Sequence, residues 1–518
     1  MPHSTGEAGA DAAPDGKLSK EIWVLAGVLT LGSIMAVLDT TIVNVALNTL
    51  SSDLDTDLNT VQWTVTGYFL AMGTVIPLVG WAVDRFGAKR LWLLSLLLFV
   101  LGSALSGMAW SIEALIGFRV LQGLGGGMIL PLVQTILATA AGPQRMGRVM
   151  GLVMIPTLLG PVLGPVLGGW LVEDVDWRWI FFVNIPVGIL AIFFAAWKLP
   201  RGEGRSEPAR ALDVRGLMLL PLGLVSLLYG FSRAGTEGFG DGPVLGFLLV
   251  GAVLTTAFVL SAVQRGERAL VDVRLFRDRT FAASTTTIFL FSIGLYGVML
   301  LLPLYYQVVR GEGALHAGLL LAPQGVGAML AMPLAAILTD RIGPGRIVLT
   351  GAMLALAGTY VFTQVADDTS YTLLTLALVV RGFGLASTMA PTFTAAYATL
   401  SPASVPKASS TISSMQQLGG SVGSAVLSLT LSNRIEANMP DTPGGGSPTG
   451  EVGEIPPEVR ERAGDFLATA FGQTFWVAFW LIVAILVPAS LLPRKPLNKN
   501  APPPPPAEHR TGKPATRS

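Results

Sequence analysis

The chain has 518 residues, of which 51% are apolar and only 13% are charged, and its mean hydropathy is +0.61. Soluble proteins carry about 25% charged residues, so the composition indicates an integral membrane protein. The net charge of +1 provides no basic field that would attract nucleic acid. With no cysteine and three scattered histidines, we expect no disulfide, no thiolate nucleophile, no metal site and no cofactor.

Fourteen apolar runs follow one another along the chain, each long enough to cross a hydrocarbon layer of about 30 Å. Lipid offers no partner to a free backbone amide, and the alternation of barrel strands is missing, so we predict fourteen helices. The first run is too long for a secretory signal and lacks a cleavage pattern, so we interpret it as a span. Predicted helices 1 to 14 cover about 22–47, 60–83, 91–110, 112–138, 149–172, 177–197, 214–232, 243–263, 281–309, 315–339, 346–366, 371–399, 408–433 and 471–492.

Lysine and arginine are concentrated in alternate connections. If both termini and the even-to-odd connections face the cytoplasm, that side holds 26 of the 34 lysines and arginines. The positive-inside rule therefore predicts that both termini are cytoplasmic, and the even number of helices agrees with this. Two arginines, Arg119 and Arg381, fall inside predicted helices 4 and 12.

Three features recur at nearly one spacing. The stretch 84–90 after helix 2 recurs as 340–346 after helix 10, at an offset of 256. Arg119 and Arg381 are 262 residues apart, and two glycines of helix 5 recur in helix 13 at an offset of 259. We therefore predict two parallel six-helix halves, helices 1–6 and 9–14, with helices 7 and 8 inserted between them. Such halves are known in transporters, where the substrate site lies near the membrane midplane.

The predicted domains follow from this division. No segment outside the predicted helices is long enough to bury a core of its own, which excludes a soluble catalytic domain.

The unusually long loop at 434–470, with an amphipathic piece from about 457 to 470, is a mobile spacer by default. The alternatives are a cap over the outer vestibule or a contact with a partner or lipid headgroups. The domains are a cytoplasmic tail 1–21, a six-helix bundle 22–198, the inserted pair with its flanking loops 199–279, a six-helix bundle 280–493 that includes the extracellular loop 434–470, and a disordered cytoplasmic tail 494–518.

Asp39 is the only carboxylate well inside an apolar run, where an ionisable group costs several kcal/mol unless it faces a partner or a cavity. From the rise of about 1.5 Å per residue, Asp39 lies roughly 12 to 14 Å and Arg119 roughly 10 Å from the outer ends of their helices. These depths predict an ion pair or a shared cavity in which Asp39 exchanges a proton while Arg119 stays charged. The alternatives are a fixed structural ion pair and an aspartate that lines a watery vestibule.

Other polar residues extend this candidate site. Gln122 lies one turn from Arg119 on the same helix face. Glu113 is expected to be a solvated residue at the start of helix 4, with membership of the proton route as the alternative. Arg381 is expected to mirror Arg119, although 296–299, opposite Asp39, contains no acid, so the halves are chemically unequal. The candidates for proton coupling and the substrate cavity are Asp39, Asn44, Glu113, Arg119, Gln122, Tyr296 and Arg381.

Helix 5 combines small residues at every fourth position with two prolines. This pattern permits close helix approach and bending, so we predict a packing and pivot element; tight packing without motion is equally compatible with it. The residues concerned are Gly160, Pro161, Gly164, Pro165, Gly168 and Gly169.

The connection between helices 2 and 3 combines an acid, a turn glycine and several cations. We predict a charged latch that opens when the halves rock; the alternative is a positive loop that only sets the topology. The residues concerned are Gly80, Asp84, Arg85, Gly87, Lys89 and Arg90, with Asp340 and Arg341 in the repeat.

Taken together, these motifs resemble the fourteen-helix drug:proton antiporters of the major facilitator superfamily. Two positions depart from the family pattern, namely Asn48 in place of a proline and Ala88 in place of an arginine. Helix 10 also lacks the buried acid of some multidrug members, which argues against strongly dicationic substrates. The matching stretches are 38–47 in helix 1, 80–90 (G-x-x-x-D-R-x-G-x-[RK]-[RK]), 119–123 in helix 4, 160–169 in helix 5, and Trp177-Arg178-Trp179 with Asn184-Ile185-Pro186 in helix 6.

The resemblance implies proton-coupled efflux of amphipathic, often cationic, drugs or antibiotics by alternating access, across the cytoplasmic membrane of a bacterium. It implies proton or cation binding at Asp39, coupling at Arg119, alternating access at helix 5, and gating at Asp84 with Arg85. The expected partners are a small amphipathic substrate, protons and the bilayer, and we expect a monomer.

Other functions are weighed against this one. Within the same fold, the alternatives are a dedicated exporter of an endogenous metabolite and a transporter of lipids or lysolipids. An enzyme would need paired carboxylates, a Ser/His set or a histidine cluster in the spans, so we predict no enzyme. A channel would not need duplicated halves with pivot glycines.

Overall fold

The structure is a computed structural model, and it describes residues 20–141, 149, 163–164, 166–172, 174–199, 213–266, 269–401, 403–438 and 457–496. Most of the predicted cytoplasmic tails, 1–21 and 494–518, and the first part of the connection that precedes helix 7 lie outside the described residues. Within the described residues all regular structure is helical.

Fourteen helices, α1 to α14, correspond to the predicted helices 1 to 14. Four are interrupted by short irregular turns or a change of helix type. The bounds are α1 Lys20–Ile42 with a 3-10 turn at Val43–Ala46 and a last piece Leu47–Asp53, α2 Leu58–Val75 with a 3-10 turn at Ile76–Leu78 and a last piece Val79–Phe86, α3 Ala88–Gly107, α4 Ile112–Ala141, α5 166–172 in its described part, α6 Trp179–Phe182 and Asn184–Lys198, α7 Val214–Glu237, α8 Gly242–Arg265, α9 Arg279–Leu304 with a π-helical end Tyr305–Val309, α10 Ala314–Ile342, α11 Pro344–Phe362, α12 Tyr371–Ala398, α13 Val405–Asn438 and α14 Pro457–Ser490.

Among the described residues, 12 helices are long and apolar enough to cross a membrane. α13 has 34 residues but is less apolar than the others. Its polar side chains, Ser409, Ser413 and Gln416 among them, are buried against neighbouring helices. These side chains therefore do not face lipid, and α13 fits the bundle despite its composition. With α5, of which only a part is described, the count agrees with the predicted fourteen.

The largest difference from the predicted bounds lies between α13 and α14. α13 continues to Asn438 and α14 begins at Pro457, so most of the predicted loop 434–470 is helical, and its predicted amphipathic piece is the first part of α14. In that part, Gly464 lies next to Asp367 of the α11–α12 connection. Hydropathy missed it because the apolar run of α14 begins only at about 471. Residues 439–456 lie outside the described part.

The inserted helices pack along one side of the seam between α1–α6 and α9–α14. The ring of Tyr229 in α7 stacks on Trp63 of α2, with centroids 5.6 Å apart. Further along the seam, Ser428 Oγ of α13 donates a hydrogen bond to the Gly235 carbonyl of α7 at 3.3 Å. α8 packs on α7, and most of its surface is exposed, as expected for a lipid-facing helix. α7 thus contacts both groups of six helices.

Glycines bring α3 against α4 and, in the same way, α11 against α12. A Cβ atom at Gly102 would lie 2.6 Å from Gln122 Cα, and one at Gly358 would lie 2.6 Å from Arg381 Cβ. Helix backbones come this close only where a side chain is missing. Since Gln122 is part of the candidate site, the small size of Gly102 sets its position.

We expect Gly102→Ala to lower the free energy of unfolding by about 1 to 3 kcal/mol, because the added methyl forces α3 and α4 apart. The measurement is thermal unfolding of the protein purified in detergent. Gly117→Ala in α4 is the matched control, since a Cβ there meets nothing within 4 Å. Equal stability of the two variants would contradict the close approach.

Candidate functional site

Asp39 of α1 and Arg119 of α4 form a buried ion pair. Arg119 Nη1 donates a hydrogen bond to Asp39 Oδ2 at 2.6 Å. The side chains are 0% and 1% exposed, respectively. The similar depths estimated from the sequence therefore correspond to a direct contact.

The other oxygen of the carboxylate is held by two amides. Asp39 Oδ1 accepts from Gln122 Nε2 at 2.8 Å and from Asn184 Nδ2 at 3.2 Å, where Asn184 is the first residue of the main part of α6. With Arg119, three N–H donors face the carboxylate. This arrangement suits the ionised form. A protonated Asp39 carries an O–H group that must itself donate, so protonation displaces at least one of these donors.

Arg119 is held in place by further contacts from α2 and α4. Its Nη1 also donates to Gln122 Oε1 at 2.7 Å, and its Nε donates to the Thr64 carbonyl at 3.1 Å. The guanidinium carbon lies 4.2 Å from the centroid of the Tyr68 ring, a cation–π distance. A buried ion pair is favourable only when such additional contacts satisfy both partners, and here they do.

A second layer connects the carboxylate to α3. Asn184 Nδ2 also donates to Ser103 Oγ at 3.1 Å, and Ser103 Oγ donates to the Phe181 carbonyl at 2.9 Å. The sequence analysis quoted Asn184 only within the family resemblance, and it missed Thr64, Tyr68 and Ser103. The available signal was the polar residue Asn184 inside an apolar run. The other three contribute a backbone carbonyl, a ring face and a common hydroxyl, which leave no sequence pattern.

The glycines of α5 pack against α1 directly after Asp39. A Cβ at Gly164 would lie 2.1 Å from Thr41 Oγ1, and one at Gly168 would lie 3.0 Å from Ile42 Cγ1. The predicted close approach is therefore found at these two positions, beside the point where α1 changes to its 3-10 turn at Val43–Ala46. A Cβ at Gly169 meets nothing within 4 Å. Gly160, Pro161 and Pro165 lie outside the described residues.

Two candidates lie outside this hydrogen-bond network. Asn44 is exposed, and its Nδ2 donates to the Thr40 carbonyl at 3.2 Å. Glu113 is exposed in the first turn of α4, as expected for a solvated end residue. Neither is a hydrogen-bond partner of Asp39 or Arg119.

The connection between α2 and α3 contacts the end of α6, and the repeated connection between α10 and α11 contacts the chain just after α14. Lys89 Nζ donates to the carbonyls of Ala196 and Leu199, at 2.8 and 2.6 Å, at the end of α6. A lysine there also interacts favourably with the helix dipole. In the repeat, Gly345 N donates to the Pro493 carbonyl after α14 at 2.9 Å. In this conformation Lys89 thus contacts its own group of helices, and the role of this connection as a latch stays a prediction.

The remaining residues of these connections lie near the seam or at the surface. Gly80 is the member that packs across the seam, since a Cβ there would lie 3.1 Å from Lys407 Cα of α13. Gly87 and Gly343 occupy equivalent positions with φ of +81° and +90°, a conformation that favours glycine. Asp84 and Asp340 are half-buried, while Arg85, Arg90 and Arg341 are exposed.

Gln134 of α4 connects the two groups of helices at the other end of the bundle from the ion pair. Its Nε2 donates to Gln416 Oε1 of α13 at 3.2 Å. Its Oε1 accepts from the Tyr397 hydroxyl of α12 at 3.4 Å and from Ser413 Oγ at 3.3 Å. Gln134 lies about 22 Å along α4 from Arg119. We call this set of four residues the Gln134 network; the sequence analysis missed it.

A narrow cleft with a cavity volume of about 20 Å³ in this conformation lies among α9, α10, α12 and α13. Its lining is mostly apolar, with Tyr296, Ser292 and Gln416 as polar members. Such a lining suits an amphipathic molecule. Gln416 also belongs to the Gln134 network, so the cleft adjoins the seam. The candidate Tyr296 is thus placed at a cleft, whereas Asp39 is not among its lining residues.

Arg381 of α12 is as buried as Arg119 but has no carboxylate partner within the part of the chain that the structure describes. Its Nη1 donates to Gln324 Oε1 of α10, and its Nε and Nη2 have no hydrogen-bond partner among the described residues. Gly102 packs against Gln122, and the equivalent Gly358 packs against Arg381. Gln122 and Arg381 are therefore equivalent positions, at an offset of 259 residues. The prediction that Arg381 is the equivalent of Arg119 in the repeat is therefore wrong by three residues. The residue equivalent to Arg119 is Leu378.

Residues 29–424 match the family model described as Major Facilitator Superfamily. The chain belongs to the major facilitator superfamily. It is 41% identical over 512 residues to the Multidrug resistance protein B homolog of Mycobacterium tuberculosis, covering 95% of this chain and 94% of that protein. It is 29% identical to the Tetracenomycin C resistance and export protein of Streptomyces glaucescens, covering 84% and 80%. These relatives confirm the predicted resemblance to drug antiporters of the superfamily.

Solved structures of two major facilitator proteins share the fold. The human organic anion transporter MFSD10 aligns with a TM-score of 0.56 at 17% identity, covering 90% of this chain and all of that one. The proton:xylose symporter XylE aligns with a TM-score of 0.57 at 14% identity, covering 90% and 96%. The predicted all-α major facilitator fold is thus confirmed. Like its family, this chain is a multi-pass membrane transporter that acts in a lipid bilayer on small substrates.

In this transporter, we expect Arg119→Gln to lower the free energy of unfolding by about 3 to 5 kcal/mol, because it leaves the buried Asp39 carboxylate unpaired. The double variant Asp39→Asn with Arg119→Gln should recover most of this loss, since both charges are removed together. Thermal unfolding of the purified variants in detergent measures both effects. A double variant as unstable as the single one would rule out the ion pair as the cause.

Proposed function

We propose that this transporter exports amphipathic small molecules, drugs and antibiotics among them, in exchange for protons across the cytoplasmic membrane of a bacterium. One observation carries the proposal: the carboxylate of Asp39, buried in the interior of α1, is held by donors from α4 and α6 in a major facilitator fold. The names of the relatives, which refer to multidrug resistance and to resistance and export, support the substrate class.

Proton exchange at Asp39 changes the contacts between helices. The ionised carboxylate accepts from Arg119, Gln122 and Asn184, on α4 and α6. Protonation removes the negative charge and adds a donor, so the hold of Arg119 on α1 weakens and at least one amide must turn away. We propose that the protonated and ionised forms thereby favour different arrangements of α1 relative to α4 and α6.

The Gln134 network joins the two groups of helices at the end of the bundle where substrate enters in the proposed transport cycle. By the positive-inside rule this end faces the cytoplasm, so this conformation is closed on the cytoplasmic side. Export requires the network to break as the halves 22–198 and 280–493 rock. We propose that substrate then enters from the cytoplasm or the inner leaflet as Asp39 releases its proton. A proton from outside returns to Asp39 as the substrate leaves.

We propose that α5 transmits this change to the seam. Gly164 and Gly168 place α5 directly on α1 at Thr41 and Ile42, within one turn of Asp39. Because no side chain separates the two backbones at these glycines, a displacement of α1 is expected to move α5 with it. The α5 glycines thus serve as the pivot, and Asp84 with Arg85 lies where the cytoplasmic ends separate.

A dedicated exporter of an endogenous antibiotic is the second candidate within this proposal. It is favoured by the similarity to a tetracenomycin C resistance and export protein. Both candidates use the same coupling, and they differ in the range of compounds carried.

We expect Asp39→Asn to reduce proton-driven transport to the level of protein-free vesicles, because asparagine cannot exchange a proton. The measurement is uptake or release of a fluorescent lipophilic cation by proteoliposomes under an imposed pH gradient, with and without a protonophore. Substrate binding in detergent should persist, because asparagine keeps the side-chain volume.

Glu113→Gln is the matched control for this experiment, since Glu113 is also an acid of the first four helices but is exposed. It should retain gradient-driven transport. Undiminished proton-driven transport by Asp39→Asn would exclude Asp39 from coupling. Loss of transport in both variants would point to a general effect of removing acids.

We expect Gln134→Ala to shift the transporter toward conformations that are open on the cytoplasmic side, because it removes three hydrogen bonds of about 1 kcal/mol each. The chain has no cysteine, so spin labels attach only at introduced ones. Labels at Phe86→Cys and Ala403→Cys, both exposed at this end, should report longer distances by electron–electron double resonance. Gln62→Ala, an exposed glutamine of α2, is the control. An unchanged distance distribution would exclude the Gln134 network as a gate.

A further inference from the structure

The guanidinium of Arg381 presents two unused donors on one edge. Nη1 is occupied by Gln324 Oε1, whereas Nε and Nη2 have no hydrogen-bond partner among the described residues. The N–H groups of Nε and Nη2 are parallel, and they match the two oxygens of one carboxylate. Arg119 differs, because its Nε is used by the Thr64 carbonyl.

Among the residues that the structure describes, no carboxylate forms an ion pair with Arg381. The acidic residues of α9–α12 and their connections all lie at helix ends, whereas Arg381 is 1% exposed in the interior. A buried cation without a partner is strongly unfavourable. These acids are Glu312, Asp340, Asp367 and Asp368.

Two clefts begin one turn along α12 from Arg381. The narrow cleft lined by Tyr296 and a second one beside α14, with cavity volumes of about 20 and 10 Å³ in this conformation, share Leu385 in their linings. Arg381 and Leu385 are four residues apart, about 6 Å along the helix, and they lie on one face. An apolar body in these clefts therefore brings an attached polar group close to Arg381.

We propose that Arg381 binds the carboxylate of an amphipathic substrate whose apolar part occupies these clefts. The inference rests on the proposed transport function and adds a substrate class to it. Gln324 keeps Nη1 engaged, and the close packing of Gly358 on the Arg381 backbone fixes the base of the side chain. The carboxylate reaches Arg381 in a conformation more open than this one.

The test compares a carboxylate with its neutral ester. The probes are 11-(dansylamino)undecanoic acid and its methyl ester, and binding to the purified full-length protein in detergent is followed by dansyl fluorescence. The wild type should bind the acid at least about tenfold more tightly than the ester, the factor expected for hydrogen bonds to a charged group. Arg381→Gln, which places the residue of the equivalent position Gln122 there, should bind both probes equally.

Arg381→Lys separates charge from geometry. It keeps the cation but loses the paired donors, so its preference for the acid should fall between those of the wild type and Arg381→Gln. Should Arg381→Gln fail to fold, the Lys variant and the wild type still decide the question. An unchanged preference in either variant, or an equal affinity of the wild type for acid and ester, would overturn the proposal.

Transport measurements keep this inference distinct from the proposed function. Asp39→Asn should keep the preference for the acid in binding but lose the gradient-driven transport of a lipophilic cation. Gradient-driven transport without any acid preference refutes the carboxylate site alone. Absence of gradient-driven transport in the wild type refutes the proposed function.

Discussion

The ion pair between Asp39 and Arg119 is the interaction on which the rest of the site depends. A charge in the interior of a membrane protein is tolerated only when its partners remove the cost of leaving water. Here α1, α2, α3, α4 and α6 each supply a member of the surrounding hydrogen-bond network. Because one carboxylate engages this many helices, a single proton is enough to change how they pack.

The two groups of six helices share a backbone plan but differ in their polar chemistry. Equivalent glycines draw α3 to α4 and α11 to α12, so the same helix contacts are built twice. The first group contains an acid and a base that satisfy each other, and the second contains the base Arg381 alone. A duplicated scaffold with unequal charges is compatible with the proposed division, in which Asp39 exchanges protons and Arg381 binds the substrate.

The ion pair and the seam lie about 22 Å apart along α4, which carries both Arg119 and Gln134. α4 therefore carries both the partner of the Asp39 carboxylate and a contact between the two groups of helices, which connects the two sites along one helix. α5, packed on α1 by Gly164 and Gly168, provides a second connection. The polar face of α13 completes the seam, and its burial explains why a helix of modest hydropathy belongs to the bundle.

The sequence by itself determined the membrane-embedded all-helical fold, the fourteen helices, and Asp39 and Arg119 as the central charges, because lipid imposes apolar runs and makes isolated charges conspicuous. Only the tertiary structure decided which residues complete the site. Asn184, Thr64 and the Gln134 network are distant in sequence, and their polar atoms leave no periodic pattern. The alignment of the two repeats was also decided by contacts between helices. The offset between α4 and α12 is 259 residues rather than 262, so Arg381 is equivalent to Gln122 and not to the ion-paired Arg119. Hydrophobic pattern fixes which segments enter the membrane, but side-chain pairing depends on helix rotation and approach, which only packing sets.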